Sequence, residues 1–148
     1  MAIEALVRAL LGEADAIDDL TRMIVEQREA IKSGNYPAMQ EYMKSVQGAF
    51  FFVQTEDAAR ARLSDTLAKD LGCEPCLSSF CTSLSEAEAT ELQSAGERLS
   101  HSVFALKAEM VILSGLIEQN ERFGAMLLSE WRRLEGGVMR AGGFDFRG

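Results

Sequence analysis

Two prolines, one histidine, three cysteines and only 7% aromatic residues in a chain of 148 leave several classes of protein without their raw material. So few prolines remove the punctuation that many short strands need. No stretch alternates polar and apolar residues for long enough to make a sheet. The fold class read from this is all-α. His101 has no serine, cysteine or carboxylate that the sequence sets beside it, so a general base would lack its partner. There is no glycine-rich phosphate loop, no His-Glu-x-x-His and no paired Glu-x-x-His. The reading is a non-enzyme, with no cofactor and no metal. Basic residues are the minority, 15 against 23 acidic, for a net charge of −8. That is the wrong sign for a hold on nucleic acid, which works by clustered Lys and Arg releasing counterions. Glu4, Arg8, Glu13 and Asp15 interrupt any leader-like start, and no run approaches eighteen uncharged apolar residues. Neither a signal peptide nor stable membrane insertion is expected, and the chain is placed in the cytoplasm. An odd number of cysteines without a secretion signal reads as thiols.

What the chain has in quantity is helix-forming residues in seams. From Leu99 the steps 4, 3, 4, 3 reach Val103, Leu106, Met110, Leu113, Ile117, Asn120, Gly124, Leu127, Trp131, Leu134 and Val138, and ten of these twelve are apolar. A mean spacing of 3.5 lets one helix stay in contact with another. A second seam with the same steps runs Ile3, Leu6, Leu10, Glu13, Ile17, Leu20, Ile24, Gln27, Ile31. Its opposite face carries Asp15, Asp18, Arg22, Glu26, Glu29 and Lys32, with Asp18–Arg22 and Glu29–Lys32 at ion-pair spacing. At Ser33-Gly34-Asn35-Tyr36-Pro37, Gly34 suits a left-handed helix end, Asn35 a cap and Pro37 a first turn. The next seam begins Tyr36, Met39, Met43, Val46, Phe50, Val53. Its following positions are Asp57 and Arg60, while apolar residues resume at Ala59, Leu63, Leu67 and Leu71, which predicts a skip or kink near Gln54 to Glu56. The run Phe50-Phe51-Phe52-Val53 cannot all face one way; either two faces are buried there or an aromatic contact patch is exposed. Gly72 ends this helix, Cys73 to Cys81 reads as an irregular loop, and Ser83/Glu86 and Ser85/Glu88 have capping-box spacing for a start near Leu84.

The expected architecture is a single domain over 1–148: an elongated antiparallel three-helix bundle, coiled-coil-like, with helices at about 2–33, 36–71 and 84–139 and a flexible glycine-rich tail at 140–148. Gly96, Gly115 and Gly124 weaken the long third helix by up to about 1 kcal/mol each relative to alanine. Asn120 either fixes register, as buried amides in seams do, or marks where packing loosens.

Cys73, Cys76 and Cys81, with His101, supply the four soft ligands a structural zinc needs. His101 is alone and deep in a helix, however, so semi-buried thiols in a loop are the simpler reading. The richest surface lies beyond Asn120, where Phe123, Leu127, Leu128, Trp131, Leu134 and Val138 cover more than one stripe, with Arg132, Arg133 and Arg140 among them. Residues 131–148 carry four basic and two acidic side chains, the one basic part of the chain. A third helix of more than fifty residues would outrun the first two. Its surplus then reads as a site for a partner helix, unless the earlier helices or a second copy cover it.

Ser33-Gly34-Asn35-Tyr36 resembles the Gly-Asp-Tyr break between the first two helices of the FlgN-type flagellar export chaperones. Leu71-Gly72 is similar to the Leu-Gly that ends their second, and Leu116-Ile117-Glu118-Gln119-Asn120-Glu121-Arg122-Phe123 to their Asn-x-x-Asn segment before a C-terminal amphipathic helix. Phe144, flanked by glycine, is a further likeness. The resemblance implies a cytoplasmic type III export chaperone whose C-terminal amphipathic helix binds hook-filament junction (hook-associated) subunits and delivers them to export gate components. Two other functions compete with it: a self-associating helical scaffold or homodimer, and a zinc- or thiol-responsive regulator.

Overall fold

The computed structural model describes residues 2–119 together with 132 and 133. Among them are four helices and no strand: α1 (Ala2–Lys32), α2 (Tyr36–Leu71), α3 (Leu77–Ser83) and α4 (Glu86–Glu118). The all-α expectation holds, and three of the helices build a bundle.

Local chemistry sets the first turn. Gly34 takes φ 71°, the left-handed region that only glycine enters without a steric penalty. The Asn35 side chain accepts a hydrogen bond from the Ala38 N–H at 3.2 Å, and Pro37 sits in the first turn of α2. Glu13 meets Arg60, and Gln27 meets Met43, so α2 runs antiparallel to α1. Gly72, at φ 66°, closes α2 through a bond from its N–H to the Lys69 carbonyl. At the start of α4 the capping box forms from Ser85 and Glu88. Ser83, the other expected cap, ends α3 instead.

Helix α4 runs parallel to α1. Arg98 pairs with Asp15 at 3.0 Å and Asp18 at 2.6 Å, and two to three turns further on Arg28 pairs with Glu109. These contacts revise the solvated face read from the sequence. Asp18 reaches across to α4, and Arg22 pairs with Asp19 rather than Asp18, while Lys32–Glu29 forms as spaced.

The packing order is α2–α1–α4. Helix α1 packs against both neighbours, whereas no Cα of α2 lies within 8 Å of one on α4. A helix between two others needs more than one apolar stripe. The whole predicted α1 seam is buried, and Val7, Ala14, Ala16 and Ala30 are buried beside it. The α4 seam from Leu99 to Ile117 is buried as read, with Leu92 and Ala95 extending it.

The skip predicted in α2 does not occur. Met39, Val46, Phe50, Val53, Arg60, Ser64 and Leu67 are all buried on one unbroken helix, so the 3.5-residue seam passes straight through the polar positions. Arg60 (3% exposed) donates from Nε to Glu13 (1% exposed) at 2.8 Å and also pairs with Asp57. A polar residue at a seam position needed a polar residue facing it, and Glu13 of α1 is that residue.

The stretch read as an irregular loop contains α3, whose Leu77 and Phe80 are buried. A Cβ on Gly96 would come within 3.2 Å of the Leu77 Cδ2, so this glycine lets α3 lie close on α4.

The expected helix over 84–139 is described only in part. α4 is described to Glu118, while positions 120–131 and 134–139 lie outside the described residues. Arg132 Nη2 is 3.4 Å from Glu118 Oε1.

One buried cation facing two carboxylates generates a pH dependence. Burial pushes the Glu13 carboxyl up to about 8; Asp57, by hydrogen bond and by charge, pushes the same way, and Arg60 opposes both. The folded value thus exceeds the unfolded one of 4.5. The stability Glu13 contributes is complete below that unfolded value and is lost as pH rises through about 8. Urea midpoints measured across this window should fall with rising pH in the wild type and flatten in Glu13→Gln. Arg60→Ala, which strands both carboxylates, should cost about 3–5 kcal/mol.

Candidate functional site

Sequence reasoning placed the partner site at Phe123, Leu127, Leu128, Trp131, Leu134 and Val138. All six lie outside the described residues, but their neighbours Arg132 and Arg133 are described and are helical. They point in different directions: Arg132 reaches Glu118 at the end of α4, whereas Arg133 lines a cleft of about 300 Å³ on α2 with Gln47, Phe50, Phe51 and Gln54.

The aromatic run of α2 explains that cleft. Successive helical residues turn by about 100°, so Phe50 and Val53 fall on the buried seam while Phe51 (71% exposed) and Phe52 (53%) face out. Of the two readings of this run, exposure rather than burial of a second face is the one found. A second exposed apolar stripe lies on the side of α4 opposite its seam, formed by Phe104 (75% exposed), Val111 (70%) and Ile112 (48%). The sequence analysis missed it. The signal was present as Phe104-x3-Ala108-x2-Val111, a second helical stripe out of phase with the seam that was counted.

By length and composition α4 is also apolar enough to cross a membrane. Lys107 and Glu109 are its only Lys, Arg, Asp or Glu residues between Arg98 and Glu118. The two charges interrupt the stretch, so no run of eighteen uncharged apolar residues is formed. Here α4 is a bundle helix, its seam buried and its Arg98 and Glu109 paired with α1.

The soft ligands do not converge. Among the described residues no three His, Cys, Asp or Glu side chains form a group able to hold a metal. Cys76 Sγ lies 3.1 Å from the Ser79 hydroxyl, Cys81 Sγ points to the Ala89 carbonyl, and all three cysteines are half-buried thiols outside any disulfide. His101 is exposed on α4.

A long helical hairpin and a third helix parallel to its first arm are thus in place. The model of the family described as FlgN protein matches residues 1–137. The chain belongs to the FlgN family. No curated protein and no solved structure matches it. FlgN proteins are flagellar export chaperones, a family of binders of flagellar proteins rather than of enzymes, which accords with the absence of a catalytic constellation from the sequence reading. The match takes in five of the six predicted site residues and stops one short of Val138. It leaves the thiols without a role.

Replacing Cys73, Cys76 and Cys81 together by serine should leave the helical signal of this FlgN protein unchanged. Because each thiol is half-buried and outside any ligand set, the shift in unfolding free energy should be no more than about 1 kcal/mol. Purified protein assayed by atomic absorption should contain no stoichiometric zinc.

Proposed function

We propose that this FlgN chaperone works in the cytoplasm, binds hook-filament junction subunits through its C-terminal amphipathic segment, and holds them competent for export until gate components take them over. The observation that carries this reading is the reach of the family match across Phe123, Leu127, Leu128, Trp131 and Leu134. These residues are apolar, include the single Trp and are followed by Arg132 and Arg133 in the chain, the composition of a contact that a few anchors dominate. The mechanism is masking. An aggregation-prone helix of the subunit lies against Leu127, Trp131, Leu134 and Val138, and the complex stays reversible because few contacts carry most of its energy. The net charge of −8 leaves nucleic acid out of the partners proposed.

A self-associating scaffold is the second reading, favoured by the exposed Phe104, Val111 and Ile112. Light scattering at two concentrations separates them, since a scaffold gains mass with concentration and a chaperone awaiting its client does not.

Truncation after Asn120 should leave a helical protein that no longer retains a purified junction subunit on an affinity column. In the full chain, Trp131→Ala should weaken that binding by about 2 kcal/mol, roughly thirtyfold. Retention of full affinity by the truncated form would place the site elsewhere.

A further inference from the structure

We propose that the exposed side of α4 is a second docking surface, and that its occupant is a basic amphipathic helix of another protein rather than a second copy of this chain. The surface is separate from the C-terminal segment assigned above, and the inference does not depend on that assignment.

The strip has the spacing of a coiled-coil seam. From Glu97 the steps 4, 3, 4, 3, 4, 3 reach His101, Phe104, Ala108, Val111, Gly115 and Glu118, about 32 Å of helix on the side of α4 opposite the seam that α1 buries. Phe104 and Val111 stand mostly exposed, and Ile112 borders them. Among the described helices only α1 and α3 approach α4, and α3 does so near Gly96. A Cβ on Gly115 would meet nothing within 4 Å, so the bundle itself does not require this glycine and a hollow is left next to Val111. A repeat of 3.5 with large and small residues in turn suits side chains arriving from another helix.

Charge selects the helix. The apolar middle of the strip ends in Glu97 on one side and Glu118 on the other, both exposed, and Lys107 is the exposed basic residue beside it. Glu118 also meets Arg132, but with both side chains more than half exposed this pair holds little. A second copy laid on the strip so that the apolar middles meet brings glutamate to glutamate at both ends, Glu97 to Glu97 in a parallel pair and Glu97 to Glu118 in an antiparallel one. Each copy also carries a net charge of −8. Like charges set opposite each other count against that partner. A membrane surface fits no better, since helices that lie among lipid headgroups carry Lys and Arg beside the apolar face. A helix with a 3.5-residue apolar stripe and Lys or Arg at both ends of it matches the spacing and the charge together.

The probe is a synthetic amphipathic peptide of about three heptads, with Leu along one stripe and Lys at both of its ends; a twin carries Glu in place of each Lys. Titrated into the full-length protein and followed by calorimetry, the Lys peptide should bind about tenfold more tightly than its twin. Phe104→Asp and Val111→Asp, both at exposed positions and so without effect on the helical signal, should each weaken that binding by about tenfold. Glu97→Lys combined with Glu118→Lys should reverse the preference between the peptides. Phe52→Asp on α2 and Trp131→Ala should leave the affinity for the Lys peptide unchanged. Because Trp131→Ala is the variant expected to weaken junction-subunit binding, failure here and failure of the proposed function are told apart. Equal binding of the two peptides, or indifference to Phe104→Asp and Val111→Asp, would overturn the inference. So would a two-copy mass in light scattering that Val111→Asp abolishes, which gives the strip to a second copy, or binding to phosphatidylcholine vesicles that Val111→Asp abolishes, which gives it to a membrane.

Discussion

Helix α1 has to bury itself on two sides, and the rest of the molecule is arranged around that requirement. Its seam turns Leu6, Leu10, Leu20 and Ile24 fully away from water, each gaining about 1.5–3 kcal/mol relative to exposure. One neighbour cannot cover both this seam and the flanking Val7, Ala14 and Ala16. Two helices therefore lie against it, α2 antiparallel and α4 parallel, and the chain makes that order possible with a tight turn at Gly34 and a longer connection through α3. Both neighbours then keep a face that α1 does not touch. On α2 that face carries Phe51, and on α4 Phe104 and Val111.

Apolar seams of even spacing specify contact more firmly than they specify register, since a shift by one heptad along such helices keeps most of the burial. Polar residues placed inside the seams remove that freedom. Glu13 must meet Arg60 and Asp57, because any other register would leave buried charge unpaired. The ion pairs from Arg98 and Arg28 to Asp15, Asp18 and Glu109 do the same between α1 and α4, where their partial exposure makes each weaker. Stability comes chiefly from the seams, and the choice of alignment from a handful of charges.

This division explains what could be read from the sequence. The α1 and α4 seams were legible because apolar residues at steps of three and four need no knowledge of a partner. The caps at Asn35 and Ser85 were legible because their hydrogen bonds are local. The register of α2 was not, since Asp57 and Arg60 look like a break until Glu13, 47 residues away from Arg60, is seen to face them. Helix α3 escaped because it has seven residues and only Leu77 and Phe80 buried, too few to show a period. Gly96 was read as a weakness, although the closeness of Leu77 gives it a packing role. The candidate site was read as surplus apolar residues near a basic end, and its six residues lie outside the described part. What the sequence could not convey was that Arg132 sits beside Glu118, because a contact between residues 14 positions apart leaves no local signal.

For an export chaperone, binding a client without opening the core has a physical rationale. A client helix that replaced part of the core would have to disrupt α1's contacts to bind and restore them on release, adding the cost of exposing several buried leucines to every cycle. Under the proposed function, a contact made outside the core and dominated by a few residues near Trp131 would leave the seams of α1 covered, so the bundle would stay folded through binding and release.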